Sequence, residues 1–214
     1  MDAERTAEFL QHPADEDAAR AVDRYHAFLA VAFAGAPKEA MAPWRLRFSQ
    51  PVAIADIRAA EQRLKIKLPP SYVELITGRG LFSGPGEHLV MLEPDDLGTL
   101  LDHLLQTVYA VESAEELAEE LGLDSSELRR LEKAIVFSTG QYEELLDVFL
   151  LDAVDSVTGE APIACFDPQE GMSAVLSLVR NRQETSGREI DRHVRELVDF
   201  NIHEVAKRLR ANDR

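Results

Sequence analysis

The stretch that most constrains this chain is residues 57–80, IRAAEQRLKIKLPPSYVELITGRG. Ile57, Ala60 and Leu64 recur at helical spacing and predict one apolar stripe. Leu68 precedes Pro69, which pushes it out of the helical region. Pro69 and Pro70 then set the start of a second helix, where a missing N–H costs nothing. Tyr72, Leu75 and Ile76 form the apolar face of that helix, and Gly78 or Gly80 supplies its left-handed stop. The segment contains no recurring catalytic group. It dictates architecture: helix, enforced break, short helix, stop.

The pattern Ile57…Glu61…Leu64…Leu68-Pro69…Tyr72…Leu75…Gly80 resembles the opening motif of the SUKH superfamily, which includes the yeast cell-wall-synthesis regulator and many bacterial toxin-immunity proteins. The likeness implies central strands at 134–138 and 147–153, a hairpin turn at 155–160, a strand over 161–167 and a closing helix over 194–209. Two departures stand out. Gly78-Arg79-Gly80 occupies the place of the family's Asn-Gly, and the helical stretch 95–133 is longer than expected between early and central strands. The implied fold is α+β, an antiparallel sheet with packed helices. Residues 1–45 form an N-terminal helical extension, and 46–212 a SUKH-like domain with a helical insertion at about 95–133.

Composition narrows the rest. At 214 residues the chain can build one substantial core, or one domain with an appendage. The single cysteine, Cys165, excludes an internal disulfide framework and fits a reducing compartment. It lies in the apolar run 162–166, so a buried strand thiol is expected; a catalytic thiol would need a histidine, and none is close in sequence. The opening MDAERTAEF is acidic and lacks the basic start and apolar core of a signal peptide. The longest apolar run, 27–36, falls far short of the roughly 20 residues that span a bilayer. A cytoplasmic protein without a membrane partner is the expectation.

Charge placement says more than net charge. The chain carries −16, yet residues 81–170 hold 21 acids against three bases, Arg129, Arg130 and Lys133, a net of −18. Everything outside that segment sums to +2. A concentration of this kind presents a negative face, which repels nucleic acid and attracts basic partners.

Along the chain, residues 2–11 and 15–34 predict two helices, the second with Val22, Tyr25, His26, Leu29 and Phe33 on its apolar side. This extension either packs on the domain or exchanges between subunits, which would make a homodimer. Residues 37–50 connect it to the motif and hold the only tryptophan, Trp44, a structural anchor or a partner contact. Residues 89–92 read as a short strand and 97–110 as a helix. Ser113-x-x-Glu116 and Asp124-x-x-Glu127 are capping boxes that break the acidic tract into short ordered helices. Residues 134–138 and 147–154 read as strands, with 155–160 turning the chain so that 161–166 pairs antiparallel. The alternation Met172, Ala174, Leu176, Leu178 favours a strand over 172–179, with helix the alternative. The last helix runs over 189–210.

The candidate partner-binding residues are Glu112, Glu115, Glu116, Glu119 and Glu120, with Asp124 and Glu127 beside them. A second cluster is Tyr142, Glu143, Glu144 and Asp147, in which Tyr142 is the natural anchor. Asp152, Asp155 and Glu160 fail the calcium-loop spacing, and His193 and His203 lack an acid at ligand spacing, so no metal is expected. Phosphate-binding and nucleophile-elbow motifs are absent from the sequence, and neither a cofactor nor an enzymatic activity is expected. The resemblance implies a non-enzymatic immunity or inhibitor protein, masking a basic toxin such as a nuclease. A regulatory scaffold, or an oligomeric protein whose acids only confer solubility, remains open beside it.

Overall fold

The computed structural model describes residues 3–85, 90–108, 111–140, 145–181, 185 and 187–212. Its centre is a hairpin of apolar, β-branched stretches, the residue types that suit a pleated buried surface. β5 (Ala134–Thr139) pairs antiparallel with β6 (Leu146–Leu150), and β6 pairs antiparallel with β7 (Ile163–Phe166). On the other edge of β5 lie β3 (Val90–Met91) and β4 (Gly98–Thr99), and beyond β3 come β2 (Phe82–Ser83) and β1 (Arg47–Phe48). All pairings are antiparallel, in the order β1-β2-β3-β5-β6-β7, with β4 joining β5 beside β3. This is the α+β class that the sequence predicts.

Because strand side chains alternate between faces, one sheet divides two cores. Ile135, Phe137, Phe149 and Ile163 face the first; Val136, Leu146, Val148, Leu150, Ala164 and Phe166 face the second. A register shift between Val136 and Ser138 bulges β5 at Phe137. The first core is closed by α2 (Ala18–Ala32), α4 (Ile54–Leu64), α5 (Pro70–Gly78) and α10 (Glu189–Asn212). The second is closed by α6 (Leu100–His103), α7 (Ala114–Leu121), α8 (Ser125–Lys133) and α9 (Met172–Arg180). The long stretch 95–133 thus supplies most of the layer that seals one face of the sheet.

The motif residues have definable jobs. Glu61 is buried; it accepts from the N–H of Leu68 at 3.0 Å and pairs with Arg58 and Lys67. It thereby satisfies the backbone donor exposed where the proline break begins. α4 itself stops before that break, at Lys65, whose left-handed φ of 55° is the only positive value among the described non-glycine residues. The start of α5 is held by Glu160, which accepts from the Ser71 N–H at 3.0 Å and the Ser71 hydroxyl at 2.6 Å. Of the two glycines, Gly78 is helical and Gly80 is the left-handed one, at φ 91°. A Cβ on Gly80 would stand 2.4 Å from the carbonyl oxygen of Ser49, so no other residue fits.

The N-terminal extension is α1 (Ala3–Leu10), α2 and the short α3 (Lys38–Met41). In the structure α1 and α2 lie against α10 of the same chain. Ala21, Val22, Tyr25, Phe28 and Leu29 enter the core that contains Ile57 and Tyr72. Arg24 reaches Glu16 and Asp199, each at 2.9 Å, and His12 meets the same Asp199 at 3.0 Å. Trp44 takes the anchoring role: its carbonyl accepts from the Tyr25 hydroxyl at 2.7 Å, and the Arg208 guanidinium lies 5.0 Å from its ring centroid.

Three expectations are corrected. Residues 172–179 are helix: Ala174, Val175, Leu178 and Val179 are buried together at helical spacing, while Met172 is exposed. The strand expected over 147–154 ends at Leu150, and a single tight turn, Leu151–Ala153, leads to the hairpin, where Asp155 accepts from the N–H groups of Val157 and Thr158. The helix expected over 97–110 is interrupted: β4 precedes α6, and a wider π-helical turn, Leu104–Val108, follows it. No helix among the described residues is long and apolar enough to cross a membrane.

Candidate functional site

α7 is built as a short amphipathic helix on ordered supports. Leu117 and Leu121 are buried in the second core. Glu115, Glu116, Glu119 and Glu120 are exposed, as is Glu112 just before the helix. Ser113 caps the start, accepting from the Glu116 N–H at 3.1 Å, and the Glu116 carboxylate reaches back to the N–H of Glu112 at 2.9 Å. Gly122, at φ 63°, stops it. α8 follows at once, with a complete capping box between Asp124 and Glu127. Both capping motifs read from the sequence therefore form, the first with its return bond displaced by one residue.

These acids contrast with those elsewhere in the fold that are tied into ion pairs. Glu16, Asp199, Glu61, Asp191, Glu127 and Asp152 each pair with an arginine or lysine. Among the described residues, Glu112, Glu115, Glu116, Glu119 and Glu120 make no ion pair. Glu115 and Glu116 in the first turn agree with the helix dipole, but Glu119 and Glu120 sit at its negative end, where α7 has no base. A carboxylate there opposes the helix by a few tenths of a kcal/mol or more. The local sequence favours a negative surface over the stability of its own helix.

Of the second predicted cluster, the structure describes Asp147 alone. Tyr142, Glu143 and Glu144 lie outside the described residues. Asp147 is buried on β6 under α10, because strand alternation turns it to the first face of the sheet. Its Oδ2 accepts from the Ser138 hydroxyl at 2.6 Å and lies 3.2 Å from His193 Nε2. Asp147 therefore ties α10 to the sheet and is not part of an outward acidic display. The trio also lacks the arrangement of an activated nucleophile: Ser138 and His193 share one carboxylate oxygen, so the imidazole is not placed to take the serine proton.

Cys165, the cross-strand neighbour of Asp147, is exposed on the outermost strand instead of buried. Partial burial, with Asp147 and Asp167 adding negative charge, pushes its thiol up to about 11. It stays protonated at neutral pH, unlike a poised nucleophile. Asp152, Asp155 and Glu160 serve three separate tasks: pairing with Arg130, closing the turn and capping α5. Among the described residues, no group of three or more His, Cys, Asp or Glu side chains is placed to hold a metal ion.

A feature that the sequence reading passed over is a groove of about 380 Å³ beside α6. It opens where β3 leaves the edge of β5 and β4 takes its place. Thr99, Asp102, His103 and Gln106 line one wall, Asp96 stands at the rim and Thr139 closes the β5 end. These four wall residues follow helical spacing, a polar stripe in plain view. Arg63 also lines the groove, and its Nη2 is committed to the carbonyls of Pro94, Asp95 and Leu97 at 2.9–3.2 Å.

Neither a protein-family model nor a curated protein matches the chain.

Proposed function

We propose that this protein is a non-enzymatic binding module that docks a basic protein through the outer face of α7. The single observation that carries this reading is the row of exposed, unpaired glutamates on a rigid, core-anchored helix, two of them placed against the helix dipole. The motif over residues 57–80 supports the more concrete form, an immunity or inhibitor protein of the SUKH type whose partner is a toxin. Toxins that cleave nucleic acid carry basic surfaces, because they bind polyanions. An acidic inhibitor covers such a surface and gains fast, salt-sensitive capture.

The first test is the genomic neighbourhood: a toxin gene beside this one supplies the partner for the kinetics below, and its absence would overturn the immunity form of the reading. Replacing Glu115, Glu119 and Glu120 with Gln should slow association about tenfold or more at low salt and leave the dissociation rate nearly unchanged. Raising salt toward 1 M should erase the difference as the Debye length contracts to about 3 Å. Association rates equal to the wild type at low salt would remove α7 from the interface. The acids would then serve solubility alone.

A further inference from the structure

We infer that the groove beside α6 is a specificity pocket for one basic side chain, an arginine or lysine, of the docked partner; this rests on the proposed acidic interface and sharpens it. Three independent observations converge. The groove, at about 380 Å³, lies within the size range of sites that enclose a small group. Its opening is built by the backbone: the sheet edge changes hands from β3 to β4 along β5, and the bulge at Phe137 lies between the two. A π-helical turn, a form that recurs at functional sites, carries Gln106 to the wall.

The chemistry of the lining selects the charge of the guest. The run 93–102, EPDDLGTLLD, holds Glu93, Asp95, Asp96 and Asp102 and no base. Asp102 is held in place, its Oδ2 accepting from the Thr99 hydroxyl at 2.7 Å while its N–H donates to the same hydroxyl at 3.0 Å. Asp96 and Asp102 thus supply negative charge at the rim and wall, and the Thr139 hydroxyl and Gln106 amide can accept from an incoming N–H. His103 also lines the groove, and beside it Arg63 is the permanently charged base. With its Nη2 turned to three backbone carbonyls it serves to brace the 94–97 loop against α4, and two carboxylates outnumber it. An anionic guest would meet those carboxylates; a guanidinium or ammonium group meets acceptors.

The groove can be tested without the partner. Nα-acetyl-arginine amide and Nα-acetyl-lysine amide are titrated into the whole protein, with Nα-acetyl-citrulline amide as the neutral control. The readout is the amide signals of Gly98 and Thr99 and the side-chain amide of Gln106. We expect saturable shifts at these positions with either cationic ligand, and none with the citrulline compound. Asp96→Asn should weaken the response about fivefold or more, and the double variant Asp96→Asn with Asp102→Asn should abolish it. Asp96→Asn does not touch the Thr99–Asp102 cap, so unchanged signals elsewhere separate lost binding from lost folding. Equal shifts with citrulline, or full binding by Asp96→Asn, would overturn the inference.

The two proposals fail separately. If the α7 glutamines slow capture of the partner while Asp96→Asn changes neither ligand titration nor partner dissociation, the interface stands and the pocket falls. If the ligands bind and the α7 variants capture normally, the pocket stands and the role of α7 falls.

Discussion

At the scale of single residues, the motif contains one group that opposes folding and one that supports it. The Tyr72 hydroxyl is the buried side-chain polar atom without a hydrogen-bond partner among the described residues. Its ring packs edge-on to Phe137 and Phe149, at 5.7 and 5.1 Å between centroids, and does not depend on the hydroxyl. An unpaired buried hydroxyl costs about 1–3 kcal/mol. Tyr72→Phe is therefore expected to raise the free energy of unfolding in urea by about 1 kcal/mol. A fall of that size would reveal a partner for the hydroxyl. Glu61 acts in the other direction. Burial alone would raise its pKa, but Arg58, Lys67 and the Leu68 N–H together hold it below the ordinary carboxylate value. The unfolded state therefore takes up protons first, at about pH 4.3. Ionised Glu61 contributes stability above that pH and loses it as pH falls through its lower folded-state value. Glu61→Gln should cost about 1.5 kcal/mol at pH 7, and the gap from the wild type should close in acid. A gap of constant size from pH 7 to pH 3 would assign the loss to packing instead of charge.

At the scale of elements, α7 is too short to be stable alone, since isolated helices below about 12 residues are marginal. It is held by Leu117 and Leu121 against the second core. Leu117→Ala should cost about 3 kcal/mol, measured by chemical denaturation, and slow partner capture although it removes no charge. A wild-type transition midpoint would show that α7 is held by something other than this contact. Elements of this kind were legible wherever local chemistry punctuates the chain. Pro69 and Pro70 start α5, and Ser113 and Asp124 start α7 and α8, because caps and proline breaks act within a turn of themselves. α9 was obscured for the converse reason. A short apolar run with small residues satisfies period two and period 3.6 alike, and only the tertiary position beside β7 decides between them. The groove stripe, Thr99 to Gln106, was visible as polarity but not as a site. Periodicity reports which side of a helix avoids the core, and it cannot distinguish open solvent from a cleft. Asp147 was misjudged in the same manner: acidity suggested the surface, whereas its strand parity and its bonds to Ser138 and His193 take it inward.

At the scale of the whole molecule, one sheet serves two cores, and the N-terminal extension belongs to the first of them. Within it, α1 and α2 lie against α10, and α2 contributes Tyr25 and Phe28, both fully buried, alongside Ile57 and Tyr72. Deleting residues 1–45 should leave a fragment that retains helical circular dichroism, binds a hydrophobic dye and unfolds without a cooperative transition. A cooperative, dye-free fragment over 46–214 would make the extension a separate unit. The layer of α6, α7, α8 and α9, net negative through the four glutamates of α7, and the balanced layer of α2, α4, α5 and α10 occupy opposite sides of the same sheet. The protein is consequently an oriented dipole, with its axis running across the sheet from one helical layer to the other. On a positively charged support it should turn before it lands, adsorbing by the α7 side and leaving α2 and α10 upright toward solvent. A tag placed in the N-terminal extension would then remain accessible, and one placed in α7 would be trapped beneath the molecule.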